Sequence, residues 1–141
     1  MEFVKQYLDI IIFGLLGSMS FVTVWLVIER YLYFARVSLD AFDHAETLNI
    51  ALTNHLTTIA SIGANAPYIG LLGTVMGILI TFYDLGQGGN IEVSTIMLGL
   101  ALALKATAMG LVVAIPAILF YNALLRKVDV LMERWKRMQP A

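Results

Sequence analysis

Lys105 and Thr107 are polar residues in a mostly apolar run, and their types make them the first candidates for chemistry. Lys105 is the only charged residue between Val93 and Leu125. A lysine at bilayer depth costs roughly 2.5–3.5 kcal/mol on insertion scales, so it usually faces protein or water and has a partner. Because the run is long enough to cross a membrane, the two side chains predict a polar site inside the membrane and indicate ion handling.

A third candidate, Thr74, lies in another apolar run among glycines. Gly73 and Gly77 form a small-xxx-small pair, and Gly70 lies one turn earlier, so a second helix can approach closely there. The surroundings of Thr74 alone leave two readings open. Its hydroxyl either bonds back to a carbonyl of its own helix and packs, or it faces a polar path.

The run that contains Lys105 also carries small residues on one helix face. Thr107, Gly110 and Ala114 share this face at i, i+3 and i+7, and such a stripe can pack a neighbour or line a narrow channel. Pro116 is expected to bend the helix and free a carbonyl, which membrane helices tolerate. Lys105 lies about 160° from Thr107 around the helix, which favours a subunit interface or pore entrance for the lysine.

The composition is that of a membrane protein. Of 141 residues, 60% are hydrophobic and 13% are charged, whereas soluble domains carry about 45–50% and about 25%. Three apolar segments reach the length that a span requires. They cover about residues 10–28, 67–83 and 93–125. The predicted fold class is an all-α membrane protein, with three transmembrane helices and cytoplasmic helical extensions, in one domain over residues 1–141.

Lysine and arginine set the expected orientation. Arg30 and Arg36 follow the first span and a basic cluster follows the third, whereas the Asp84–Glu92 turn has neither residue type. By the positive-inside rule, the N-terminus is expected in the periplasm, with residues 29–66 and 126–141 in the cytoplasm. The first span is expected to be retained as an anchor, because its leading residues are not positively charged and no A-x-A site follows.

The segments outside the spans are expected to be helical. A short amphipathic helix is predicted to return the chain to the membrane, with apolar residues at Leu48, Leu52, Leu56 and Ile59. Pro67 suits the first turn of a helix and disfavours a helical Ala66. Gly86–Asn90 is the predicted turn between the second and third spans. Arg126–Met138 is expected to extend the third helix.

The sequence offers no catalytic set. It has no nucleophile–base pair, phosphate-binding loop or cysteine, and His44 and His55 lack the spacing of metal ligands. We therefore expect no enzyme activity, no cofactor and no metal site. The near-neutral net charge of −1 does not indicate binding to nucleic acid.

Two segments carry a joint pattern of glycine, threonine and proline. They read APYIGLLGTVMGI and ALALKATAMGLVVAIPAILFYN. This pair resembles the MotA/TolQ/ExbB family of bacterial proton-channel proteins, whose pattern is A-P-x-x-G-L-L-G-T-V-x-G-I, then A-L-x-A-T-x-x-G-L-x-V-A-I-P-A-x-x-x-Y-N. The similarity covers about Leu56–Asn122. Its ExbB type, which energises TonB-dependent import, is the nearest match; TolQ-like envelope maintenance, a MotA-like stator and a passive helical scaffold are the alternatives.

The resemblance implies an inner-membrane homo-oligomer, expected to be a pentameric ring, that converts the proton motive force into motion. The ring surrounds the helices of a small ExbD-like partner, whose single membrane helix carries an essential aspartate, and a TonB-like protein transmits the motion. Carried over by motif, Thr74 and Thr107 line the pore and face the aspartate. Hydroxyls suit this role because each can donate and accept a hydrogen bond.

The chain departs from its relatives near the second threonine. Many family members carry a glutamate at the position of Leu102, and here a charge of opposite sign, Lys105, lies one turn later. Lys105 is therefore a possible charge partner for a carboxylate of the partner helix or a neighbouring subunit. The cytoplasmic loop and tail are also shorter than is typical of the family, which leaves regulatory contacts open.

Overall fold

The computed structural model describes residues 2–88 and 92–140, and within these ranges the chain is helical without a β-strand. The helices are α1 (Glu2–Arg36), α2 (Ala45–Thr53), α3 (Leu56–Gly86) and α4 (Val93–Met138), and one turn of 3-10 helix covers Leu39–Ala41. Helices α1, α3 and α4 are each long and apolar enough to cross a membrane. The predicted all-α membrane fold class is confirmed.

The long helices form a bundle with two distinct ends. At the hairpin end, α3 finishes at Gly86 and α4 begins at Val93, so these two helices run antiparallel. Helix α1 runs parallel to α4, because Phe13 lies beside Lys105 near the hairpin end and Tyr31 lies beside Lys127 near the other. We call this second end the basic end, after the cluster of charges between residues 126 and 137.

At the centre of the bundle, larger side chains of α1 pack on a surface of mostly small residues from α3 and α4. Helix α1 contributes Ile12 and Leu16, and the facing surfaces of α3 and α4 are mostly alanine. The buried residues of this core are Ile12, Leu16, Ile62, Ala66, Ala106, Val113, Ala114 and Ala117. Because alanine adds little bulk, the helix axes can lie close together.

A second core at the basic end explains why α1 and α4 continue past the apolar spans. Leu48 and Leu52 of α2 are fully buried and pack with Leu124 of α4 and Phe34 of α1. Trp135 belongs to the same core, and its indole Nε1 donates a 3.0 Å hydrogen bond to the carbonyl oxygen of Phe42. These contacts require α1 and α4 to continue beyond their apolar spans.

Arg30 joins α1 to the end of α2. Its side chain is 2% exposed, and Nη1 donates to the carbonyl oxygens of Ala51 at 2.8 Å and Leu52 at 3.3 Å. Glu29 neutralises the guanidinium through an ion pair of 2.6 Å. The last carbonyls of a helix have no partner within the helix, so Arg30 supplies the donor that α2 lacks.

The structure corrects the expected bounds of the second and third elements. Helix α3 begins at Leu56, so Pro67 lies inside it rather than in its first turn. The short helix ends at Thr53, and His55, with a left-handed φ of 71°, separates it from α3. Leu56 and Ile59 are thus in α3, where they reach the same core. Gly86 is still helical, and the predicted turn residues Gly89 and Asn90 lie outside the described residues.

Candidate functional site

Thr74 lies in the contact between α3 and α4. Its side chain is buried, with 7% exposure. Its Oγ1 lies 2.8 Å from the carbonyl oxygen of Ala103 in α4 and 3.3 Å from that of Gly70 in its own helix. The bond back to its own helix is therefore the longer of the two contacts, and the shorter one crosses to the neighbouring helix.

Thr107 lies directly opposite Thr74. The two Oγ1 atoms are hydrogen-bonded to each other, and Thr107 is half-buried whereas Thr74 is buried. The structure thus brings together the two hydroxyls that the sequence singled out in separate segments. Of the pair, Thr107 is the one that reaches an accessible surface.

Glycines allow α3 and α4 to approach closely enough for this pair to form. A Cβ atom on Gly70 would lie 2.6 Å from the carbonyl oxygen of Ala106, and one on Gly110 would lie 2.7 Å from that of Ala66. One turn further toward the hairpin end, a Cβ atom on Gly73 would lie 2.8 Å from the Cβ of Ala106. No side chain fits in these positions without displacing the backbone.

The same contact continues toward the hairpin end. A Cβ atom on Gly77 would meet the Cβ of Ala103 at 3.0 Å, so the helices are close on both sides of the threonine pair. Gly110 and Ala114 of the small-residue stripe are buried against neighbouring helices. The stripe therefore packs against its own chain, and Thr107 is its half-buried member.

Pro116 lies outside this contact. It is within α4 but exposed, and it lines an apolar groove of about 310 Å³ between α1 and α4 together with Thr23 and Val27. The hydroxyl of Thr23 bonds back to Met19 of its own helix at 2.8 Å. The groove thus offers an apolar surface on the side of α4 that faces α1.

Lys105 points away from the threonine pair. Its side chain is exposed, and its Nζ lies 5.7 Å from the centroid of the Phe13 ring in α1. Within the described part of the chain, no carboxylate oxygen lies within 4.0 Å of this nitrogen. A lysine ammonium over an aromatic face within about 6 Å is attracted by the ring, but an ionic partner is not supplied by the described residues.

Arg30 is the polar residue whose role the sequence did not indicate. Its charge fits the positive-inside pattern, yet the side chain is buried and binds backbone carbonyls. Carbonyl oxygens are common to every residue, so nothing in the sequence marks Ala51 and Leu52 as its acceptors. The adjacent Glu29, which pairs with it, is the only local signal that the charge is not free in solvent.

Comparison with known proteins connects this site to a family. Residues 38–137 match the MotA/TolQ/ExbB proton channel family, and this range includes Thr74, Lys105 and Thr107. A biopolymer transport protein ExbB from Helicobacter pylori is 51% identical over 139 residues, which is 99% of this chain and 96% of that protein. An ExbB from Aquifex aeolicus is 48% identical over 136 residues, 96% of this chain and 92% of its own length.

A longer relative matches over a shorter region. A biopolymer transport protein ExbB from Neisseria gonorrhoeae is 49% identical over 76 residues, which is 54% of this chain and 34% of that protein. The similarity to short relatives therefore extends over nearly the entire chain, whereas that to the longer protein is confined to about half of it.

Proposed function

Because the chain belongs to the MotA/TolQ/ExbB proton channel family, we propose that it is a ring-forming subunit of a proton-driven motor in the bacterial inner membrane. With an ExbD-like partner, the motor uses the proton motive force to energise TonB-dependent import across the outer membrane. The names of the relatives with nearly full coverage, biopolymer transport protein ExbB, favour this role over TolQ-like envelope maintenance.

The observation that carries the proposal is the hydrogen-bonded pair of Thr74 and Thr107 inside apolar helices. At this depth the pair can form further hydrogen bonds only with another helix or with water, because lipid offers no hydrogen-bond partner. Thr107 is half-buried, so its side chain is not enclosed by the described residues. A carboxyl group on a single-span partner is the ligand that we assign to it.

Apolar side chains beside Thr107 are suited to pack against such a helix. Leu104 and Leu111, one turn to either side on α4, are both exposed, and Leu71 and Val75 of α3 are exposed as well. In the proposed assembly, copies of the chain form a ring, which we expect to be a pentamer, and the partner helix occupies its centre. Thr107 then contacts the partner's aspartate, and Thr74 supports Thr107 from behind.

Lys105 is assigned a second role in the assembly. It lies on the other side of α4, over Phe13, and is exposed along the surface where another subunit can pack. We assign it as a charge partner for a carboxylate of a neighbouring subunit or the partner helix. An unpaired charge at this depth is energetically costly.

Uptake measurements in a strain that lacks the chain test the proposal. Thr107→Val keeps the shape and removes the hydroxyl, so we expect assembly at normal abundance but energised uptake reduced about tenfold, the effect of one hydrogen bond of ~1.4 kcal/mol. Thr107→Ser is the matched control and should retain uptake. Full growth under iron limitation with both Thr107→Val and Thr74→Val would overturn the pore-lining role, and loss of the oligomer would indicate a packing role instead.

A further inference from the structure

The hydroxyl of Thr74 has one proton and three oxygen neighbours. These are the carbonyl oxygens of Ala103 at 2.8 Å and Gly70 at 3.3 Å, and Oγ1 of Thr107. Carbonyl oxygens only accept, whereas a hydroxyl donates once and accepts through two lone pairs. If Thr74 donates to a carbonyl, the proton between the two hydroxyls must come from Thr107.

The opposite order of donation is unfavourable. If Thr74 donated to Thr107, no proton would lie between Thr74 Oγ1 and the carbonyl oxygen of Ala103, although these atoms are 2.8 Å apart. Two oxygens that expose only lone pairs to each other repel, and the 7% exposure of Thr74 leaves little room for water to bridge them. Protons therefore run from Thr107 to Thr74 and from Thr74 to Ala103.

This order fixes what Thr107 offers to the outside. Its only proton is used inward, so the half-buried side chain has only lone pairs left to offer a ligand. We propose that Thr107 is an acceptor in the resting chain, so that the site takes a neutral hydrogen-bond donor, the protonated carboxylic acid of a partner helix, in preference to the carboxylate. This inference rests on the proposed function, since it specifies the protonation state of the ligand at the same site.

Such a site stabilises the acid form of its ligand. A hydrogen bond that is made only by the neutral form raises the pKa of a carboxyl group. The partner's carboxyl is therefore expected to carry its proton while it is at Thr107 and to release it on leaving. To bind the carboxylate instead, Thr107 would have to turn its proton outward and break its bond to Thr74.

Charged groups near the site do not reverse this preference. Between Pro67 and Tyr83 of α3, and between Val93 and Asn122 of α4, Lys105 is the single charged residue. It would favour a carboxylate, but its ammonium lies over Phe13 on the α1 side of α4. The other nearby charges lie toward the hairpin end, at Lys5, Asp9, Asp84 and Glu92.

The test is the pH dependence of partner binding. The chain, reconstituted in lipid nanodiscs, is titrated at pH 5 and pH 8 with the ExbD-like single-span subunit of the same genome. We expect the dissociation constant to be about tenfold lower at pH 5, the effect of one hydrogen bond. A partner whose membrane aspartate is replaced by asparagine stays neutral and keeps an N–H donor. It should bind equally well at both pH values, as tightly as the native partner at pH 5.

Two variants of the chain show whether the effect arises at Thr107. Thr107→Val should remove the difference between pH 5 and pH 8, and Thr107→Ser should keep it. Tighter binding at pH 8, or a pH dependence that persists in Thr107→Val, would overturn the inference but leave the motor role intact. No binding of either partner at any pH would overturn the proposed function and the inference with it.

Discussion

Thr74 and Thr107 have different surroundings although they form one hydrogen-bonded unit. Thr74 is buried and bonded to the carbonyl oxygen of Ala103, so it is held in place by the backbone of α4. Thr107 is half-buried and bonded to Thr74 alone among the side chains of the described residues. In the proposed motor, Thr107 contacts the partner's carboxyl and Thr74 is a positioning residue that orients it.

Substitutions at Lys105 test whether its positive charge is needed for energised uptake. Lys105→Met keeps a flexible apolar side chain over Phe13 but removes the ammonium. We expect normal abundance and oligomer size, with energised uptake reduced about tenfold if the lost pairing is worth ~1.4 kcal/mol. Lys105→Arg is the matched control and should retain partial uptake because it keeps the charge. Native uptake by the methionine variant would show that the charge is dispensable.

The sequence singled out Thr74 and Thr107 but did not show which atoms their hydroxyls contact. The glycines around Thr74 and the stripe at Thr107 favoured a close helix pair, and the family resemblance joined the two threonines. The bond from Thr74 to Ala103 depends on a backbone oxygen, which no residue pattern identifies. For the same reason, the pairing of Arg30 with the carbonyls of α2 could not be predicted.

At the scale of elements, the hairpin of α3 and α4 is the part that positions the site. Gly70 and Gly110 face each other, and a Cβ atom on either would lie 3.1 Å from the Cα of the other. Because both positions also meet carbonyl oxygens, the backbones themselves are in contact. The separation of the two threonines is set by this contact.

Gly70→Ala tests the contact. The added methyl would lie 2.6 Å from the carbonyl oxygen of Ala106, so the helices must separate, and overpacking of this kind typically costs about 1–3 kcal/mol. We expect a lower midpoint of thermal unfolding and reduced uptake. Gly17→Ala is the matched control, since nothing lies within 4 Å of a Cβ there, and alanine favours a helix more than glycine does. Equal midpoints for the two variants would contradict the close packing.

Arg30 provides a second test at this scale. Arg30→Ala removes the donor to the last carbonyls of α2 and leaves Glu29 without its ion pair. We expect the free energy of local opening of α2 to fall by about 1–3 kcal/mol, the value of lost hydrogen bonds from a charged donor. Amide hydrogen exchange of residues 48–53 can measure this change. Arg36→Ala, at an exposed position of the same helix, should leave exchange unchanged. Unaltered protection in Arg30→Ala would show that packing alone holds α2.

Helix types were easier to predict than helix bounds. The extension of the third helix over Arg126–Met138 was expected, and α4 reaches Met138. The start of α3 at Leu56 was not expected, because the apolar count began at Pro67. A proline within a helix is tolerated where neighbouring helices support the backbone, and α3 is packed against α4 through that region.

For the molecule as a whole, the three long apolar helices were visible in the sequence because hydrophobic length is a direct requirement of the bilayer. Their relative placement was not visible. That Phe13 lies beside Lys105 depends on how far α1 slides along α4, and this offset follows from packing between many small side chains. The second core, beneath α2, also required the three-dimensional arrangement.

The predicted orientation places the hairpin end of the bundle in the periplasm and the basic end in the cytoplasm. The chain has no cysteine, so single-cysteine labelling is free of background. Gln87→Cys, at the exposed hairpin end, should react with an impermeant maleimide from the periplasmic side, and Asp43→Cys should react only after the cells are opened. Gln87 is preferred to Gly88, whose φ of 83° suits glycine. The reverse labelling pattern would contradict the proposed topology.

Proton flux through the assembled motor tests the proposed function directly. The chain is reconstituted in liposomes with its ExbD-like and TonB-like partners, a membrane potential is imposed, and internal pH is followed with a dye. We expect acidification that depends on the ExbD-like partner, is about tenfold slower with Thr107→Val, and is near the native rate with Thr107→Ser. The proposed function would be contradicted if liposomes with the native complex acidified no faster than empty ones. It would also be contradicted if the Thr107→Val complex acidified them as fast as the native complex.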